Sequence, residues 1–111
     1  VNYCSHAEYI LKMDDDIAVD IFQFWTHVKQ QKLSGFSLCG AVMTGNELEP
    51  LRDKSSKWFV SRDDFPNSRY PPFLSGWAYI TTIATAKELV ERSESSPYFW
   101  IDDVYVRRVL I

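Results

Sequence analysis

The sequence is poor in the residues that build thiolate metal sites or disulfide frameworks. Two cysteines, Cys4 and Cys39, and two histidines, His6 and His27, are spread over 111 residues. No CxxC or HxxxH spacing exists, which argues against a zinc site. Two cysteines permit one bridge at most, and they read as small buried hydrophobes in preference to it. The histidines read as structural or surface residues. Basic charge is also short: 12 Lys plus Arg face 15 Asp plus Glu, for a net charge of −3. That balance lacks the basic stripe a nucleic-acid partner requires. No apolar run approaches the ~18–20 residues that span a bilayer. What is present is a globular balance, 46% hydrophobic and 15% aromatic, at a length that points to one domain. Strand-like sequence starts almost at residue 1 and the chain stops at Ile111 inside an apolar helical pattern, which suggests part of a larger domain.

Residues 7–13 form a short apolar run that reads as a buried strand and ends in Asp14, Asp15 and Asp16. From Ile17 the period becomes 3.6, with Ile21, Phe24, Trp25 and Val28 on one face and a stop at Ser34-Gly35. Phe36 to Met43 reads as a second strand, so the opening suggests a βαβ unit in a mostly parallel sheet. Residues 44–56 read as a surface loop and Lys57 to Ser61 as a short strand. Three prolines then block regular structure up to Phe73. Gly76 to Thr82 reads as a strand or a helix entry. Thr85 and Glu88 have capping-box spacing ahead of a helix over 86–92, and Val104 to Ile111 is again helical in character.

One device occurs twice. An apolar run ends in adjacent carboxylates and a helix follows, first at Asp14–Asp16 and then at Asp102–Asp103. In open α/β sheets ligands bind beyond the carboxyl ends of strands. A single aspartate suffices to cap a helix, and adjacent carboxylates repel unless water or a cation screens them. Hard divalent cations take such oxygen ligands and keep water or phosphate in the remaining positions. The alternative is a solvated acidic loop with Asp16 as a helix N-cap. An EF-hand is excluded, because neither its glycine nor its distal glutamate follows.

The surrounding segments come in a recognisable order. Lys12-Met-Asp-Asp-Asp-Ile17 is followed by Gly40, Pro50-Leu-Arg-Asp53 and Lys57-Trp-Phe-Val-Ser61. Tyr70-Pro-Pro-Phe-Leu-Ser-Gly76, Tyr79 and Ile101-Asp-Asp-Val-Tyr105 complete the series. From about Cys4 to Val106 this succession resembles the β-1,3-galactosyltransferase and β-1,3-N-acetylglucosaminyltransferase family. The resemblance implies a partial GT-A-type, Rossmann-like α/β domain over 1–111, with a mixed, mostly parallel sheet and flanking helices, lacking the N-terminal donor-binding portion and the C-terminal end. It implies Asp16 and Asp14 as metal ligands, with Asp14 and Asp15 also at the nucleotide. Tyr70, Pro72, Gly76, Trp77 and Asp102 would line the substrate site, and Asp103 would be the catalytic base.

The implied activity is inverting transfer of a hexose or N-acetylhexosamine from a UDP-sugar to a glycan or glycoprotein, with a β-1,3 linkage and a divalent metal, manganese by resemblance. The implied setting is the Golgi membrane, with a lumenal catalytic domain and an anchor that these residues do not contain. Residue chemistry is compatible: a carboxylate serves as base, and a cation neutralises a departing diphosphate. Trp58, Tyr70, Phe73, Trp77 and Trp100 are aromatic surfaces for sugar faces, although Trp58 and Trp100 read first as packing residues. Two positions depart from the family pattern. Trp77-Ala78 stands where glycine is more usual, and Arg107 stands where glycine follows the acidic motif. Two other readings remain open. One is a non-catalytic or truncated relative acting as a carbohydrate-binding or partner module; the other is a metal-dependent phosphohydrolase, which leaves the Tyr-Pro-Pro and Lys-Trp segments unexplained. The 111 residues by themselves are expected to be marginally stable and inactive.

Overall fold

The computed structural model describes residues 3, 4 and 6–110. Its elements are β1 (Tyr9–Met13), α1 (Ile21–Gln31), β2 (Leu38–Met43), a 3₁₀ turn over Gly45–Leu48, β3 (Phe73–Thr82), α2 (Ile83–Ser93) and α3 (Asp102–Leu110). The expected α/β character with flanking helices is present. The sheet pairing differs from the mostly parallel expectation: the order is β1-β3-β2 and both ladders are antiparallel. The reason is topological. β1, α1 and β2 do form a unit whose strands run the same way, but β3 inserts between them in the opposite sense.

Several boundaries move from the sequence reading, each for a local reason. Helix α1 begins at Ile21, because the Asp20 carboxylate accepts from the Phe22 and Gln23 amides at 3.0 Å each. Asp20 is therefore the N-cap. Asp16 is not, which removes capping as the explanation of the first acidic string. The helix ends one residue before Lys32, which takes the left-handed conformation (φ 48°). Thr82, and not Thr85, caps α2: its hydroxyl accepts from the Thr85 amide at 3.3 Å and donates to the Gly35 carbonyl at 2.7 Å. Residues 57–61 are turn and coil, not a strand. Ile111, expected as the end of the last helix, lies outside the described residues. Cys4 and Cys39 are free and exposed, not buried, since Cys39 lies on the largely exposed strand β2. His6 and His27 are at the surface, as expected.

The core sits beyond one end of the sheet. Leu48, Val60, Phe65, Tyr70, Phe99 and Val104 form a buried cluster, with Met43, Phe73, Ile101 and Tyr105 packed against it. Three of its rings, Phe65, Tyr70 and Phe99, lie within 4.8–6.1 Å of one another, in tilted or edge-on arrangements. The loop that supplies half of this core is tied by Arg52. Its guanidinium donates to the carbonyls of Val60, Ser61, Phe65 and Asn67 at 2.8–2.9 Å. These carbonyls would otherwise lack a partner, which is costly wherever they are shielded from water.

Replacing Arg52 by Met in the full-length protein should therefore destabilise the loop over residues 51–68 by about 2–4 kcal/mol, the sum of several charge-assisted bonds less resolvation. Amide exchange and limited proteolysis confined to that loop would report it. Exchange unchanged there would show that the loop is held by the aromatic core alone.

Candidate functional site

Strand β3 positions the site. It pairs with β1 in continuous register from Tyr9↔Thr82 to Met13↔Ala78. Against β2 the register breaks: Gly40 faces Tyr79, while Val42 faces Leu74. Between those pairs β2 has Ala41 alone, and β3 has Ser75, Gly76, Trp77 and Ala78. Bulged segments re-aim backbone and side chains next to sites. Here the bulge turns the Gly76 amide toward α3. Gly40 allows the close pairing just before the break, since a Cβ there would lie 2.9 Å from Tyr79 Cβ.

Helix α3 starts with both acids of the second motif, Asp102 and Asp103, in its first turn. Carboxylates at a helix N-terminus are favoured by the helix dipole. The Gly76 amide donates to Asp103 Oδ2 at 2.8 Å. Gly76 is buried beneath that carboxylate, and a Cβ in its place would fall on the carboxylate group, 2.7 Å from Cγ. Only glycine leaves room for this bond.

The first acidic motif meets the second through Lys12. Residues 12 and 14 are two apart on an extended run, so their side chains share one face. The Lys12 ammonium donates to Asp14 Oδ1 at 3.0 Å and to the Gly76 carbonyl, and lies 3.7 Å from Asp102 Oδ2. The Asp14 amide donates to the Trp77 carbonyl at 2.9 Å, which fixes the acidic turn to the bulge. Burial acts to lower the Lys12 pKa, but the bond to Asp14 and the charges of Asp102, Asp14 and Asp103 outweigh it and the net shift is upward. For Asp103, burial pushes the pKa up. The Gly76 amide opposes this, Asp102 adds to it by charge and hydrogen bond, and Lys12 opposes it. The net position is above the ordinary aspartate value.

The structure brings some expected residues together and separates others. Asp14, Asp102, Asp103 and Gly76 converge on Lys12. Asp15 and Asp16 stand exposed in the turn that closes from Asp14 to Ile17. Tyr70 and Trp77 share a groove of about 360 Å³ with Asp103, Trp58 and Ile101. Tyr70 is buried in the core, its hydroxyl unpartnered, while Trp77 is 70% exposed. Pro72 lines a second groove, with Leu38, Val42, Tyr79 and Arg107 among its other residues, and Asp103 is again part of the wall. Trp58 and Trp100 do pack, as a parallel pair with centroids 6.0 Å apart, yet both keep an exposed face. Lys12 had no role in the sequence reading; its two-residue spacing from Asp14 on a strand was the signal that could have found it.

The oxygen donors at Asp14–Asp16 suit a hard divalent cation. Among the described residues, however, no three acidic, histidine or cysteine side chains gather into a cage. These residues alone would supply only a minor part of a cation's shell.

The sequence model of the family described as galactosyltransferase matches residues 1–111. Among known proteins, the chain is 34% identical over 104 residues to β-1,3-galactosyltransferase 5 of Pan troglodytes, covering 94% of this chain and 34% of that protein. It is 35% identical over 108 residues to β-1,3-galactosyltransferase 1 of Mus musculus, covering 94% of this chain and 32% of that one. The chain therefore spans about a third of the length of these relatives.

The raised Asp103 pKa has a consequence for stability that can be measured without any substrate. A carboxyl whose pKa is higher folded than unfolded contributes stability at low pH that is lost as pH rises through the folded value. Asp103→Asn, which keeps an acceptor for the Gly76 amide, should therefore raise Tm of the full-length protein at neutral pH. The gap should close as pH falls below the ordinary aspartate range. Thermal melts across pH 3–8 would check this, and a variant less stable than wild type at pH 7 would contradict the assignment.

Proposed function

Because the chain belongs to the galactosyltransferase family, we propose that it is part of the catalytic domain of an inverting hexosyltransferase. In this reading the full protein moves a hexose or N-acetylhexosamine from a UDP-sugar to a hydroxyl of a glycan or glycoprotein, forming a β-1,3 linkage in the Golgi lumen. The observation that carries the reading is the Asp103 carboxylate, held by the Gly76 amide at the wall of an aromatic groove and poised above the ordinary aspartate pKa. A base of that kind is more basic than a free aspartate.

Asp103 accepts the proton of the acceptor hydroxyl while that oxygen attacks the anomeric carbon. The bond from that carbon to the diphosphate breaks on the opposite face, its electron pair leaves with UDP, and the configuration inverts. Asp16 and Asp14 would hold the divalent cation, with Asp15 beside them at the nucleotide; when bound, the cation supplies charge neutralisation at the diphosphate. Asp102 and Gly76 orient the base. Trp77 and Trp58 offer exposed ring faces to a sugar, and Tyr70 backs the same groove with its free hydroxyl.

In the full-length protein, Asp103→Asn should lower kcat by roughly 10²–10⁴-fold, the range for loss of a general base, with UDP affinity retained. Transfer at the wild-type rate would remove Asp103 from the base role. Asp16→Asn should weaken UDP binding in the presence of manganese, and calorimetry giving the wild-type affinity would remove Asp16 from the cation site. Sugar bound in the groove by a protein that transfers nothing from any UDP-sugar would favour the carbohydrate-binding module instead.

A further inference from the structure

We propose that Lys12 is a positioning residue for the base: its ammonium clamps the Gly76 peptide and joins the two acidic segments into one charge-balanced unit. The proposal rests on the transferase reading above and adds a role for a residue outside the acidic motifs.

Three contacts carry it. Lys12 donates to the Gly76 carbonyl, while the Gly76 amide donates to Asp103 Oδ2 at 2.8 Å. Both polar groups of the most conformationally free residue type are thereby engaged, so the Gly76 backbone cannot rotate without breaking one bond or the other. The same ammonium reaches Asp14 at 3.0 Å and Asp102 at 3.7 Å. One cation thus counters carboxylates from the turn after β1 and from α3. The Tyr79 ring beneath it, 5.9 Å from Nζ, adds a favourable face for the charge.

Asp103 is faced by Lys12 from β1, by the Gly76 amide and the Tyr79 phenol from β3, and by Asp102 from α3; Arg107 shares the second groove with it, and Glu47, Glu49 and Tyr70 share the first. Asp102 favours the protonated base and Lys12 the ionised one. Removing the ammonium therefore leaves the Gly76 amide as the remaining group that opposes Asp102 and frees one end of the Gly76 peptide. A lysine that merely stabilised the fold would lower the amount of active protein equally at every pH.

The test is the pH dependence of transfer by the full-length protein, as wild type, Lys12→Met and Lys12→Arg. Lys12→Met should lower kcat by about 10–100-fold through misplacement of the base. It should also move the acid limb of kcat/KM upward by about half a unit to one unit, the size of losing a partly solvated cation at this range. Lys12→Arg, which keeps the charge, should return the limb to its wild-type position. An acid limb unmoved in Lys12→Met would overturn the proposal. Should Lys12→Met not fold, Lys12→Gln, which removes the charge and keeps a donor, takes its place: a limb displaced upward supports the clamp and an unmoved one overturns it. Failure of the base reading is seen separately, as transfer by Asp103→Asn.

Discussion

Carboxylates gathered at one end of a small sheet repel one another, and in this molecule a single ammonium answers that repulsion. Lys12 reaches Asp14 just beyond its own strand, Asp102 at the start of α3 and the Gly76 carbonyl. Much of the surrounding architecture is what this contact requires. β1 must lie directly against β3, with Lys12 opposite Tyr79. β3 must leave β2 over residues 75–78 so that Gly76 can face α3. Residue 76 must lack a Cβ, or the Asp103 carboxylate would have no place to stand. These requirements also couple: a side chain at 76 would push away the Asp103 carboxylate and distort the carbonyl that Lys12 holds.

The clamp would be useless if α3 were free to drift, and the loop over residues 50–70 prevents that. Arg52 gathers four carbonyls of that loop, which sets Val60 and Phe65 into the core beside Phe99 and Val104. Val104 follows Asp103 directly and is fully buried. The acids are thus positioned from below by aliphatic and aromatic packing and from above by charge. Apolar burial supplies the energy but little directionality, whereas the hydrogen bonds supply direction at small net energy. On the proposed reading the site needs both, since a base displaced by an ångström loses much of its effect.

The local elements were legible where periodicity and apolar runs speak directly: both outer strands, all three helices and the acidic string at the end of β1, whereas the strand-like run over 98–101 before the second string is coil. The sheet order was not. Nothing in the pattern of Tyr9–Met13 or Leu38–Met43 records that β3 will come between them, because insertion is decided by long-range pairing. Capping failed in a similar way. Asp16 and Asp20 are equally good N-caps by residue type, as are Thr82 and Thr85, and only the actual path of the backbone selects between them. Arg52 read as a surface-loop cation because its partners are backbone carbonyls, which have no sequence signature. The cysteines misled through a statistical preference for burial that an exposed edge strand overrides.

Asp103 stands where two grooves meet, and the two departures from the family pattern are divided between them. Trp77 walls the groove that contains Trp58 and Tyr70, while Arg107 walls the one that contains Pro72 and Tyr79. Neither residue has a hydrogen bond or ion pair to Asp14, Asp102 or Asp103 among the described residues, apart from the backbone link of Trp77 to Asp14 that any residue would make. Inverting displacement demands that acceptor and leaving group approach the reacting carbon from opposite sides, so a base between two grooves is suitably placed for one of them to hold the acceptor. On the proposed reading, then, changes at Trp77 and Arg107 act on which sugar is held and how, whereas the Lys12–Gly76–Asp103 unit governs whether the proton moves. At the bulge the Gly76 amide reaches Asp103, while the Trp77 side chain next to it is 70% exposed and free to serve recognition.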